Sequence, residues 1–162
     1  NLALPLGFEP RRRQDIDMIF VAADASAGRL LFPQLRFHYA GNIPTYATSA
    51  IHESVLNEPD LNGVVFPDTP WVLLESKENL ELKQSLETYW PQRRSPPWAR
   101  FYGFGFDAYR LVPLLYEEKI ELSSIDTLSG TLSLDQNRRI SRGLPLAQFR
   151  NGRPFSINSP TP

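Results

Sequence analysis

Asp15-Ile16-Asp17-Met18-Ile19-Phe20-Val21-Ala22-Ala23 ends in a short, nearly continuous apolar run, the pattern of a strand covered on both faces in a parallel sheet. The following residues read as a helix. Ser26 is placed to cap it, and Leu30, Leu31, Leu35 and Phe37 recur near helical spacing, with Pro33 expected in the first turn or at a kink. Gly41-Asn42 should stop that helix, and Ile43-Pro44-Thr45-Tyr46-Ala47-Thr48 reads as the next strand. A strand, a helix and a strand in such a short span make a βαβ unit with parallel strands, so the class is α/β.

Further along, residues 51–60 are mixed and polar, suiting a loop or a single turn, and Leu61-Asn62-Gly63-Val64-Val65-Phe66 reads as a short strand ended by Pro67-Asp68-Thr69-Pro70-Trp71. Between residues 76 and 90, Leu80, Leu82, Leu86 and Tyr89 alternate with Glu78, Glu81, Lys83 and Glu87, an amphipathic helix. Residues 91–97 break the pattern. Phe101, Phe104, Ala108, Leu111, Val112 and Leu115 then form an apolar stripe that predicts a helix over 99–117. Its two glycines, Gly103 and Gly105, are unfavourable inside a helix and are expected to permit close packing. Gly130-Thr131-Leu132-Ser133-Leu134 alternates as a strand, Asp135-Gln136-Asn137 turns, and residues 139–149 are expected to return antiparallel. Arg150-Asn151-Gly152-Arg153-Pro154 is another turn, and residues 156–162 are expected to be disordered.

Composition narrows the function. The chain has 162 residues, 41% hydrophobic, enough to bury a core. Its formal net charge of −1 supplies no global field for nucleic acid, which is therefore not an expected partner. With no cysteine there is no disulfide, thiolate metal site or cysteine nucleophile. No stretch approaches the length of an apolar membrane helix and the amino terminus does not read as a signal peptide, so any targeting segment is expected upstream. Asn1-Leu2-Ala3-Leu4-Pro5 carries neither a helix cap nor turn chemistry and reads as a cut through a longer protein.

No constellation of catalytic type emerges. Gly103, Gly105 and Ala108 fit the spacing of a dinucleotide loop, but Arg93-Arg94-Ser95-Pro96-Pro97-Trp98 precedes them where a central strand is required. The two histidines, His38 and His52, lie in different elements without a third metal ligand, and His52-Glu53 with Ser49 or Ser54 lacks a nucleophile elbow. Asp15 and Asp17 suit a solvated strand edge. Asp68, after a strand, and Asp107, in the aromatic helix, read as end caps or buried anchors, with ligand contact as the alternative. Arg138, Arg139, Arg142, Arg150 and Arg153 make a local basic excess near the carboxyl terminus, suited to a solvated hairpin edge or an anionic partner.

Arg12-Arg13-Gln14-Asp15-Ile16-Asp17, Phe37-His38-Tyr39-Ala40-Gly41, Pro44-Thr45-Tyr46-Ala47-Thr48-Ser49, Asp68-Thr69-Pro70-Trp71, Phe106-Asp107-Ala108-Tyr109-Arg110-Leu111 and Leu144-Pro145-Leu146-Ala147-Gln148-Phe149 resemble the carboxyl-terminal domain of the LppC/LpoA family. The resemblance runs over residues 11–154, and Asp107-Ala108-Tyr109 with Gly130-Thr131-Leu132-Ser133-Leu134-Asp135 is also similar to type I periplasmic binding proteins. It implies a two-lobed α/β fold, with parallel sheets flanked by helices, present as a partial chain. Residues 1–60 would form the later part of one lobe, 61–118 the later part of the other, and 119–162 would return to the first and end in the tail. It implies a non-enzymatic regulatory domain of an outer-membrane lipoprotein, tethered at the inner face of that membrane by an upstream lipidated segment. That domain would bind and stimulate a class A penicillin-binding protein, a peptidoglycan synthase, from the periplasmic side. No cofactor and no metal are implied. The alternative is a periplasmic solute-binding module holding an amino acid or peptide between its lobes, and Thr48, Ser49, Asp68 and Asp107 are the candidates to line that cleft. Either way, sheets lacking half their strands would have bare faces and need the missing half of the domain or a complementary chain.

Overall fold

The computed structural model describes residues 14–53, 57–91, 98–116, 124–137 and 139–157. The expectations placed on residues 1–13, on Ser54, on residues 92–97, on Arg138 and on residues 158–162 lie outside these.

Strand β1 (Ile19–Val21), helix α1 (Ala25–Phe37) and strand β2 (Thr45–Ala47) form the expected βαβ unit, with β1 and β2 paired in parallel. Asp24 rather than Ser26 caps α1, its Oδ1 accepting from the Ala27 amide at 2.8 Å. Pro33 lies inside the helix, which continues to Phe37. It stops before Gly41, because Tyr39 adopts φ 60° and the Tyr39 and Ala40 amides close back on the carbonyls of Arg36 and Leu35. The helix buries Ala25, Gly28 and Phe32 and leaves Leu30 and Phe37 exposed. Gly28 is needed for that contact: a Cβ there would stand 2.5 Å from Ile51 Cδ1 and 3.2 Å from Leu61 Cδ2. Ile51 and Leu61 belong to two short 3-10 turns, Ser49–Ile51 and Pro59–Leu61.

Strand β3 (Val65–Pro67) joins β2 in parallel, so the sheet does not divide at residue 60. Leu61, Val64 and Phe66 are apolar enough to require the same core as Val21 and Ala47, and they bury within it. Helices α2 (Pro70–Leu73), α3 (Lys77–Tyr89) and α4 (Ala99–Tyr116) follow. Buried Asn79 ties the first two together by donating to the carbonyls of Pro70 and Leu74.

The carboxyl-terminal part divides where a single returning strand was expected. Strands β4 (Ile125–Thr127), β5 (Gly130–Leu134) and β6 (Ile140–Gly143) form an antiparallel sheet of their own. Past Leu144-Pro145, where proline has no amide to continue a ladder, β7 (Leu146–Arg150) and β8 (Arg153–Ser156) complete the first sheet. Its order is β1-β2-β3-β7-β8, the last two added antiparallel. Asn151 at φ 51° and Gly152 at φ 76° make the tight turn between them. The core lies between this sheet, α1 and the two 3-10 turns, centred on Phe66 stacked on Phe149 at 4.8 Å.

Candidate functional site

The polar centre of the molecule begins where β3 ends. Asp68 follows Pro67 into the interior and is 0% exposed. Its Oδ1 accepts from Arg100 Nε at 2.7 Å and from the Thr69 amide at 2.8 Å, and its Oδ2 accepts from Arg100 Nη2 at 2.7 Å. The same Oδ2 lies 2.9 Å from His52 Nδ1. Burial alone would push the Asp68 carboxyl up. The hydrogen bonds from His52 and Arg100, the charge of Arg100 and the Thr69 amide outweigh it, and the group is held below the usual carboxylate range. An ionised Asp68 can only accept, which assigns the hydrogen to His52 Nδ1.

Arg100 reaches this point from the first turn of α4. Beyond its fork on Asp68, its Nη2 also donates to the carbonyls of Ser49, at 2.8 Å, and His52, at 3.1 Å. One guanidinium thus joins α4, the end of β3 and the 3-10 turn after β2. His52 packs beside the stacked rings of Phe66 and Phe149, at 5.3 and 5.9 Å. Neither member of the His52 and Asp68 pair is presented to solvent, so the pair fastens the fold and offers no surface to a substrate.

A second fastening lies further along the same stripe of α4. Gly103, three residues after Arg100, lets the helix approach Trp71, whose Cβ would be 2.9 Å from an added Cβ. Asp107 follows four residues later, buried, and its two oxygens accept from the Leu128 amide at 3.2 Å and the Ser129 amide at 2.6 Å. The Leu128 carbonyl in turn accepts from the Trp71 amide at 2.9 Å. The turn between β4 and β5 is thereby held to α2 and α4, and α4 bridges the two sheets.

The four residues expected at the cleft lie as follows. Asp68 and Asp107 turn inward and spend both carboxylate oxygens on donors of this chain. Thr48 and Ser49 are half-buried at the end of β2. A cavity of about 490 Å³ lies between α3, α4 and the β4 to β6 sheet, with Glu78, Arg110, Asp126 and Thr131 in its wall. Another of about 410 Å³ lies beside the end of α1 and β2. None of the four expected residues lines either. Sequence reading did not pair Arg100 or His52 with Asp68. The available signal was helical spacing: Arg100, Gly103 and Asp107 share one face of α4.

Among the described residues no group of three or more His, Cys, Asp or Glu side chains could hold a metal ion. No helix among them is long and apolar enough to cross a membrane.

Comparison with known proteins follows the same fold. A family described as "LppC putative lipoprotein" matches residues 1–152. The "Penicillin-binding protein activator LpoA" of Vibrio cholerae serotype O1 is 30% identical over 153 residues, covering 91% of this chain and 24% of that protein. The chain thus spans about a quarter of the length of this curated relative. Among solved structures, the "LpoA (YraM) C-domain from Haemophilus influenzae, a regulator of PBP1A" superposes with a TM-score of 0.68 at 22% identity, over 90% of this chain and 46% of that one. A "putative branched-chain amino acid ABC transporter" from Chromobacterium violaceum superposes with a TM-score of 0.60 at 28% identity, over 82% of this chain and 42% of that one. The α/β fold with its parallel strands is thus that of the LpoA C-domain and of periplasmic binding protein-like transport proteins. By the extent of the family match and the identity to its curated relative, the chain belongs to the LppC lipoprotein family.

Proposed function

We propose that this chain is a non-enzymatic regulatory part of an outer-membrane lipoprotein that binds a class A penicillin-binding protein and stimulates its peptide cross-linking. The observation that carries this reading is the 30% identity, across 91% of the chain, to a protein named as a penicillin-binding protein activator. The polar centre agrees with it. Buried His52, Asp68 and Asp107, which carry acid or base chemistry, are occupied in holding elements together. Regulation of this kind acts through a surface and a coupling between two proteins rather than through proton transfer. The family's description as a lipoprotein supports tethering by a lipidated segment at the inner face of the outer membrane, with the domain in the periplasm.

The test is reconstitution of a purified class A penicillin-binding protein with the protein carrying this chain, following binding and the rate of peptide cross-linking. Saturable binding with a rise in rate supports the proposal. Absence of both refutes it. A second reading, a solute-binding module for an amino acid or peptide, is favoured by the 28% identity to the Chromobacterium violaceum transport protein. Thr48 and Ser49 are then the residues left to contact the ligand. Thermal stabilisation by amino acids or peptides, without any effect on the synthase, would select it.

A further inference from the structure

The cavity of about 490 Å³ between α3, α4 and the β4 to β6 sheet falls within the size of a small-molecule site, roughly 300–1,000 Å³. Pro70, Leu74 and Leu144 give it apolar wall, and Ser156 at the end of β8 brings the first sheet to it. Its charged wall groups are Glu78, Arg110 and Asp126. Arg110 is already engaged: its Nη1 donates to Glu78 Oε1 at 3.1 Å, and its guanidinium lies 5.7 Å from the centre of the Phe106 ring. Among the described residues Asp126 makes no ion pair. It stands opposite Thr131 in the β4 to β5 register, on the same face of that sheet, and Thr131 Oγ1 donates to its Oδ1 at 2.8 Å. A hydroxyl compensates no charge, so the wall keeps one carboxylate in excess. The same bond fixes what the pair can offer a ligand. The Thr131 hydroxyl has spent its only hydrogen on Asp126 and retains lone pairs, and a carboxylate has lone pairs alone. Asp126 and Thr131 thus form a patch of acceptors with one negative charge in a cavity whose other walls are partly apolar.

We propose that this cavity binds a small primary amine, its ammonium on Asp126 and Thr131 and its carbon frame against Pro70, Leu74 and Leu144. An ammonium has three donors, no acceptor and a positive charge, so it complements the patch both in hydrogen bonding and in sign. A neutral alcohol supplies one donor and no charge. An amino acid brings a carboxylate for which the wall holds no free guanidinium, since Arg110 is paired with Glu78. The site is also separate from the ends of β2 and β3, because Thr48, Ser49 and Asp68 do not line it. The inference does not depend on what the domain regulates.

The experiment is isothermal titration of the whole protein carrying this chain, at neutral pH and fixed ionic strength, with three probes that share one frame. They are cyclohexylmethylamine, its neutral counterpart cyclohexylmethanol, and the corresponding zwitterion cyclohexylglycine. The amine should bind saturably and at least about tenfold more tightly than the alcohol, the margin expected of a hydrogen bond to a charged group over a neutral one. Asp126→Asn keeps the shape and the acceptor for Thr131 but removes the charge. It should weaken the amine at least about tenfold and leave the alcohol unchanged. Glu81→Gln, at an exposed carboxylate elsewhere on α3, is the reference and should leave all three affinities as they were. Equal affinity for amine and alcohol would overturn the proposal, and so would an amine affinity unmoved by Asp126→Asn or lowered as much by Glu81→Gln. Tighter binding of the zwitterion would overturn it in favour of an amino acid. Absence of amine binding to the native protein would overturn it outright, and the comparison of probes on that protein stands whether or not the variants fold.

Discussion

Replacing Asp68 by alanine removes a fully buried carboxylate and strands every group that points at it. Arg100 would lose both arms of its fork and retain only the carbonyls of Ser49 and His52, while His52 Nδ1 and the Thr69 amide would lose their acceptor. Removing one partner of a buried ion pair is destabilising by about 3–5 kcal/mol, most of it the penalty of the charge left behind. In a domain of this size about 2–4 °C of melting temperature accompany each kcal/mol, so the fall should be roughly 6–20 °C. Arg100→Met should fall in the same range, since it leaves Asp68 charged in the interior with only His52 and Thr69. The double variant decides the matter. Because each single change already breaks the pair, Asp68→Ala with Arg100→Met should lose about 1–3 kcal/mol less than the sum of the single losses. The assay is urea unfolding followed by circular dichroism on all four proteins, with melting curves as a second reading. Single losses below about 1 kcal/mol, or additivity within about 0.5 kcal/mol, would refute the assignment of this ion pair as the fastening of α4 to the sheet.

The same carboxyl sets an acid limb to stability. Although burial raises its pKa, the bonds from His52 and Arg100, the Arg100 charge and the Thr69 amide together depress it below 3.8 in the folded state. Its contribution is therefore complete above the unfolded value near 4 and disappears as pH falls through the native value, so stability should rise with pH across that window. Urea midpoints below about pH 5 should show this slope in the native chain and a flatter one in Asp68→Ala, and identical slopes would count against it. The two glycines of α4 should respond in opposite senses to alanine. Gly105→Ala meets nothing within 4 Å and should stabilise by about 1 kcal/mol, whereas Gly103→Ala meets Trp71 and should destabilise by about 1–2 kcal/mol after the helix gain is subtracted from overpacking. A shared sign in thermal melts would contradict the packing. Asp107→Ala should destabilise by roughly 2–4 kcal/mol, leaving two buried amides without acceptors. Hydrogen exchange at Leu128 and Ser129 should accelerate beyond the global change, and unchanged exchange there would refute the anchor.

Much of the local structure was legible along the chain because it rests on neighbouring residues. The βαβ unit follows from apolar periodicity, α3 from its alternating charges, and the β7 to β8 turn from Asn151-Gly152, whose positive φ values suit those residues. Asp68 and Asp107 stood out as short acidic side chains in apolar settings, with burial anchoring and ligand contact both open to them. What defeated the reading was partnership at long range. Arg100 meets Asp68 across 32 positions and Asp107 meets Ser129 across 22, and no periodicity links such pairs. The break at Leu144-Pro145 is of the same kind. Its proline permits a change of sheet, but only the free edge of β3 gives β7 a ladder to join.

The amino-acid sequence by itself determined the class of fold and most of its elements, because hydrophobic spacing and turn chemistry act within a few residues. Tertiary structure decided which carboxylates are anchors and how α4 bridges the two sheets. Burial and hydrogen-bond partnership are properties of surfaces brought together, and they come into being only when distant segments meet.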